Sequence, residues 1–263
     1  MTGLSSFTNP PVSEVALAVQ FEPEPRLTSL DLVPLRAVFA DAYPIAQEMP
    51  PLPRMEPHGA PILQFTTGMD TPRYWFASHD QVKLVQVQRD RLAVNWRRQS
   101  ADPYPRYSSI KPRLVDAWEK FTGHLDSLGH PAPRPDVAEV TYVNPIEVAG
   151  SGVWERHDEI AKVFTHWYTP PPTVPGLELT TAGFNLQYRM PDVDGSLSVT
   201  VDPVTNSSNG ALAFLLTLVA LAEVKDRGFD GALAVLDRGR EAIVTTFAAM
   251  TTAEMHKVWG RFE

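Results

Sequence analysis

The sequence predicts an α+β fold: two internally duplicated β-α-β(3-4)-α halves forming one continuous curved antiparallel sheet, with helices on one face. Three observations predict it. Segments of period-two alternation come in consecutive runs, as in an antiparallel meander. A segment of helical spacing closes each half. Proline-rich loops fall at corresponding places in the two halves, with a further proline cluster between them.

The first element follows Asn9-Pro10-Pro11. Glu14–Phe21 sets Val15, Leu17, Val19 and Phe21 on one side, the pattern of a strand with one buried face. Pro23 and Pro25 end it. Thr28-Ser29-Leu30-Asp31 then offers N-cap chemistry for a helix carrying Leu32, Leu35, Val38 and Phe39. The prolines of residues 50–61 exclude regular structure there. Strands are expected at Ile62–Thr66, Arg73–Ser78, Lys83–Gln88 and Leu92–Arg98. Arg89-Asp90-Arg91 joins the last two and is short enough for a hairpin, which an Asp90–Arg91 ion pair would fix. Ser108 and Ser109 are placed to cap a helix whose Ile110, Leu114, Val115, Trp118, Phe121 and Leu125 follow helical spacing. Gly129 stops it, with Pro131 and Pro133 beyond.

Residues 130–136, HPAPRPD, form a stiff linker by composition. The order then repeats. Glu139–Val143 stands where Glu14–Val19 stood, and a helix is expected over 155–168. A second proline loop runs from Pro170 to Pro175. Strands follow near 179–189, 196–201 and 211–222, then a long helix from about Gly231 to Ala249. Thr251-Thr252-Ala253-Glu254 has the capping-box pattern and opens a last short helix through Trp259. The halves are thus 1–129 and 137–263, either separate or integrated into one domain. This order is similar to the TATA-binding-protein-like fold, and more loosely to helix-grip folds, in which a long C-terminal helix crosses a curved sheet and leaves a ligand cavity.

Composition excludes whole classes. With 263 residues, 43% hydrophobic and 21% charged, the chain is neither a disordered tail nor a coiled-coil rod. Cysteine is absent, which excludes disulfides, thiolate zinc sites, cysteine nucleophiles and iron–sulfur clusters. The net charge of -8 argues against a nucleic-acid partner, because phosphate contacts would have to overcome that field. The charge is uneven, however. Residues 81–115 hold eight basic side chains and two acids. The N-terminal segment lacks the positive and apolar regions of a signal peptide. Ala211–Ala222, the longest apolar run, is about half of a bilayer crossing. A cytoplasmic location without membrane association is therefore expected.

The seven histidines are scattered without ligand spacing, so no metal is expected. His79-Asp80 reads as a turn. No glycine-rich phosphate loop and no G-x-S-x-G elbow occurs, and no cofactor is implied. The densest polar-aromatic stretch is 73–107, where Tyr74, Trp75, Phe76, Trp96, Tyr104 and Tyr107 interleave with arginines. Half of these aromatics must pack under helices. Gln86, Gln88 and Asn95, amides facing one way on adjacent strands, form a polar strip that needs partners if buried.

Several motifs carry a resemblance: Asn9-Pro10-Pro11-Val12-x-Glu14-Val15, Tyr74-Trp75-Phe76-x-Ser78, Gln86-x-Gln88-x-Asp90-Arg91-x-x-x-Asn95-Trp96-Arg97, Tyr104-Pro105-Arg106-Tyr107 and Glu139-Val140-x-Tyr142-Val143-Asn144. Together they resemble a sporadically distributed family of uncharacterised bacterial proteins of similar length, along essentially the whole chain. The family has no assigned activity, so the resemblance implies a free-standing bacterial protein and no catalytic residue. Gln81 departs from it, where a turn glycine is expected.

Two functions follow as expectations. The first is a non-enzymatic binding protein whose sheet presents Gln86, Gln88, Arg91, Asn95, Arg97 and Arg106 to a partner macromolecule, a protein in preference to nucleic acid. The second is a helix-grip enzyme or carrier holding an apolar or aromatic small molecule between the C-terminal helix and the sheet. Glu14 and Glu139 are expected to pair with arginines of the central segment and lock the halves together. An open sheet edge leaves room for a homodimer.

Overall fold

Nine antiparallel strands build one sheet in the computed structural model, which describes residues 4–57, 71–99, 103–148, 151–165, 167 and 174–262. In chain order the elements are β1 (Ser6–Phe7), β2 (Glu14–Phe21), α1 (Ser29–Leu32), α2 (Leu35–Phe39), β3 (Ile45–Met49), β4 (Arg73–Ala77), β5 (Lys83–Gln88) and β6 (Arg91–Arg97). Then come α3 (Tyr107–Ser127), β7 (Pro135–Glu147), a 3-10 turn (His157–Lys162), β8 (Phe184–Met190), β9 (Gly195–Thr205) and β10 (Leu212–Glu223). The chain ends with α4 (Phe229–Met250), α5 (Ala253–Val258) and β11 (Arg261–Phe262). The sheet order is β3-β4-β5-β6-β2-β7-β10-β9-β8, while β1 and β11 form a separate two-stranded ribbon. Among the described residues, no helix is long and apolar enough to cross a membrane.

Alternation decides which face is covered. Val15, Leu17 and Val19 of β2 stand opposite Trp96, Val94 and Leu92 of β6 and Tyr142, Val140 and Ala138 of β7, all buried. Helices α3 and α4 lie on this face. Phe21 meets Trp118 and Phe121 of α3 at ring distances of 5.8 and 5.6 Å. The two helices join where Trp118 stacks on Phe229, with 4.6 Å between ring centres. Each fully buried leucine-sized side chain here stabilises the fold by roughly 1.5–3 kcal/mol. Gly239, inside α4, lets that helix approach the sheet: a Cβ there would lie 3.2 Å from the Ala220 Cβ.

Several elements differ from the sequence expectation. The helix over Thr28–Phe39 is two short ones, because Pro34 supplies no N–H to continue the first, and Val38 is exposed. The Asp31 carboxylate does accept from the Thr28 N–H, at 2.7 Å. The helix expected over 155–168 is only the 3-10 turn: the chain turns extended at Phe164, which bridges to Thr251, and the Thr252 N–H donates to the Val163 carbonyl. Thr252, not Thr251, caps α5 by accepting from the Met255 N–H, because the Thr251 hydroxyl donates to the Phe247 carbonyl. Strand β7 begins inside the expected linker, at Pro135. Asp90 pairs with Arg54 rather than with Arg91. The segment Ile62–Thr66 lies outside the described residues.

Gln81, the position where a turn glycine is expected, has φ 56°. A Cβ is strained in that region, whereas glycine enters it freely. Gln81→Gly should therefore raise stability by about 0.5–1 kcal/mol, strain relief exceeding the added freedom of the unfolded chain. A urea titration would show a higher midpoint at unchanged slope; a lower midpoint would contradict this account.

Candidate functional site

The face of the sheet without helices carries most of the residues singled out by sequence. Gln86 Nε2 donates to Asn95 Oδ1 at 2.6 Å, and Asn95 Nδ2 donates to Glu14 Oε1 at 2.6 Å. Arg97 ion-pairs with the same Glu14 oxygen at 3.3 Å. At the other end, Gln86 Oε1 accepts from Trp75 Nε1 and Arg73 Nη1. Arg97 and Arg73 both lie over the Trp75 ring, at 4.6 and 5.2 Å from its centre. The polar strip is thus a closed chain of partners across β4, β5, β6 and β2.

Gln88 and Arg91 serve a different purpose on the same face. Gln88 Nε2 donates to the Leu52 carbonyl and its Oε1 accepts the Leu52 N–H, both at 2.9 Å. Gln20 does the same to Met55, and Arg91 donates to the Pro53 carbonyl. The proline loop is strapped onto the sheet by these side chains, which replace the ladder its prolines cannot make. Between strap and sheet is a recess of about 230 Å3, floored by Ala16, Ala18 and Ala93. Glu139 and Arg91 line it, so Glu139 of the second half stands in the field of an arginine of the first. Glu14, by contrast, pairs within its own half.

Arg106 does not belong to this surface. It lies on the helical face, at the wall of a larger cavity of about 390 Å3. In the two turns after Gly239, the side chains of Arg240, Ile243, Val244 and Phe247 form one wall. Tyr142 and Asn144 of β7 and Leu218 of β10 form the floor, and the terminal ribbon closes the mouth with Ser6, Phe7 and Phe262. The Tyr104 and Tyr142 hydroxyls are 2.9 Å apart. The Tyr107 hydroxyl donates to Asp237 Oδ1 at 2.9 Å, and Lys111 takes the other Asp237 oxygen at 2.7 Å. Burial pushes the Tyr104, Tyr107 and Tyr142 hydroxyls well above the ordinary tyrosine range. They stay protonated near neutral pH.

Arg106 is also the N-cap of α3, displacing the expected Ser108/Ser109 cap, with φ 72° and ψ 153° and no side-chain cap. That region is essentially reserved for glycine and costs on the order of 1–3 kcal/mol. The surroundings hold it in place: Arg106 Nη2 donates to the Phe7 carbonyl at 2.9 Å. Arg240 lies over the Tyr107 ring at 5.4 Å and faces the Tyr142 hydroxyl. Among the described residues, no carboxylate lines this cavity and neither arginine has an ion-pair partner.

The chain matches no family model and no curated protein.

The sequence points to Tyr104, Arg106 and Tyr107 through the Tyr-Pro-Arg-Tyr motif and to Tyr142 and Asn144 through the Glu139–Asn144 motif, while Ile243, Val244 and Phe247 fall within the long helix expected from about Gly231 to Ala249. It does not point to Arg240 or the terminal ribbon. No spacing rule brings together residues from 5 to 262, and the only available signal was the positive charge of Arg240 on an otherwise apolar stripe of α4.

Burial pushes the Glu139 carboxyl above its ordinary value of 4.5, against the opposing pull of Arg91 and the Thr141 hydroxyl. The folded protein therefore keeps this proton to higher pH than the unfolded chain does. Its stabilising contribution is complete below pH 4.5 and is lost as pH rises through the folded value. Glu139→Gln, which fixes the neutral form, should flatten the fall in unfolding free energy above pH 4.5. Parallel pH curves for the two proteins would refute it.

Proposed function

We propose that the protein binds a small molecule with an apolar or aromatic body in the cavity between α4 and the sheet. The observation that carries this reading is the cavity itself: about 390 Å3, walled by aromatic and aliphatic side chains with a few converging polar groups. Ligand sites have this size and character, at roughly 300–1,000 Å3. The tyrosines, held protonated, are poor proton-transfer groups near neutral pH, which favours a binder or carrier over a catalyst.

The finer fold reading supports the same view. In each half the first strand is central, the last strand lies beside it and the others run outward, the order an internal duplication produces. A long C-terminal helix crossing the sheet above a cavity favours the helix-grip comparison over the TATA-binding-protein-like one. The second reading, a sheet surface that engages a partner protein, draws support from the recess on the opposite face, where Arg73 Nε and Arg91 Nε lack hydrogen-bond partners among the described residues. It is the weaker one, because the amides there already satisfy one another and the strap.

An uncharged aromatic probe, 2-naphthamide, should bind the full-length protein in calorimetry. Val244→Phe, which fills the cavity, should weaken it at least tenfold, a loss of about 1.4 kcal/mol. Ala16→Phe, on the opposite face, should leave it unchanged. The reverse pattern would transfer the site to the helix-free face.

A further inference from the structure

Resting on the cavity as a ligand site, we propose that its ligand is a carboxylic acid: an apolar or aromatic body with one carboxylate, held between Arg106 and Arg240. The chain as a whole is acidic, at -8. Yet among the described residues the only charged side chains lining this cavity are these two arginines.

The polar end of the cavity holds donors without matching acceptors. Arg240 Nε is buried with no hydrogen-bond partner among the described residues. Asp237, the carboxylate three residues before it on α4, has one oxygen taken by Tyr107 and the other by Lys111. The Tyr104–Tyr142 pair contains two hydroxyl protons and uses one between them, leaving one to donate. The uncapped first turn of α3, a helix of 21 residues, opens on the same wall and adds the positive end of its dipole.

A set of two guanidiniums, a spare phenol proton and a helix start calls for an anion. The planar guanidinium fork matches a carboxylate in particular. The strained backbone at Arg106 fits this role. Glycine would sit there without cost, and an arginine is there instead. Leu218, Ile243, Val244 and Phe247 provide the apolar wall for the body of the acid.

Calorimetry on the full-length protein tests this with two matched pairs, 2-naphthoate against 2-naphthamide and octanoate against octanamide. In each scaffold that binds, the acid should bind at least about tenfold more tightly than its amide. Arg240→Met should bring the two within roughly twofold, by weakening the acid far more than the amide. Arg106→Gly should narrow the gap as well, and because it relieves the φ of 72° it should keep a thermal midpoint near that of the parent protein. Equal affinity for acid and amide, with Val244→Phe still abolishing both, would overturn the acid preference and leave the cavity reading standing. An acid preference that persists in both arginine variants would place the anion elsewhere and overturn the assignment. No binding of any probe up to about 1 mM would remove the cavity reading along with it.

Discussion

The pairing of β2 with β7 is the constraint on which the rest of the structure depends. It joins strands from opposite halves at the centre of the sheet, and its register sets what every other strand shows to each side. Val15, Leu17 and Val19 meet Tyr142, Val140 and Ala138, while Glu14, Ala16 and Ala18 meet Val143, Thr141 and Glu139. Side chains alternate with a period of two, so a slip by one residue would turn one of the two strands over, carrying its glutamate, Glu14 or Glu139, under the helices and its apolar row outward. The cost of burying a carboxylate in that apolar layer excludes the alternative. Once β2 and β7 are in register, β6 and β10 can add only with matching sidedness, and the sheet grows outward from there.

The two faces solve the polar problem in opposite ways. On the helical face, backbone groups are satisfied within the sheet and the side chains are apolar except around the cavity, where Tyr142 and Asn144 stand. The other face keeps polar side chains at low exposure, and each finds a partner either in its neighbours or in the proline strap. The strap shows why those partners are glutamines. Pro50, Pro51 and Pro53 have no N–H to offer, so a backbone ladder to this segment is impossible. The N–H and carbonyl groups of Leu52 and Met55 still need partners, and a side-chain amide supplies a donor and an acceptor on two separate atoms, spaced to take both at once. Arg54 then carries the strap across the seam, bonding Asp90 of the first half and Asp136 of the second.

Much of this was legible in the sequence, and what was not has a physical cause. Strands β2, β5 and β6 and helices α3 and α4 were readable because each buries one face against a large core, which forces the period on the sequence. Gly129, at φ 75°, ends α3 where the pattern stops. Strand β3 was not readable: it is an edge strand, largely exposed, and its Ile-Ala-Gln-Glu-Met sequence carries no alternation. The β1–β11 ribbon is two residues a side, too short for any period. The amide strip was legible as a group needing partners, because alternation alone puts Gln86, Gln88 and Asn95 on one face. Arg106 was grouped with it through proximity in sequence, yet the turn into α3 sends it to the other side.

That turn is what makes the cavity a property of both halves. Tyr104, Arg106 and Tyr107 come from the first half, Tyr142, Asn144 and Arg240 from the second, and the chain ends supply the mouth. One of them, Tyr107, also docks α3 on α4, since Asp237 holds both Tyr107 and Lys111, and further along Trp118 stacks on Phe229. A molecule in this cavity touches both halves at once, so its binding energy adds to their association whenever it binds the folded state alone. The strain stored at Arg106 lies at that same seam, where two packed layers hold a backbone conformation that neither α3 nor the preceding loop would keep by itself. Stability and the proposed ligand binding thus meet at Arg106 and Tyr107, and the polar, acceptor-poor end of the cavity is where the requirements of the two diverge.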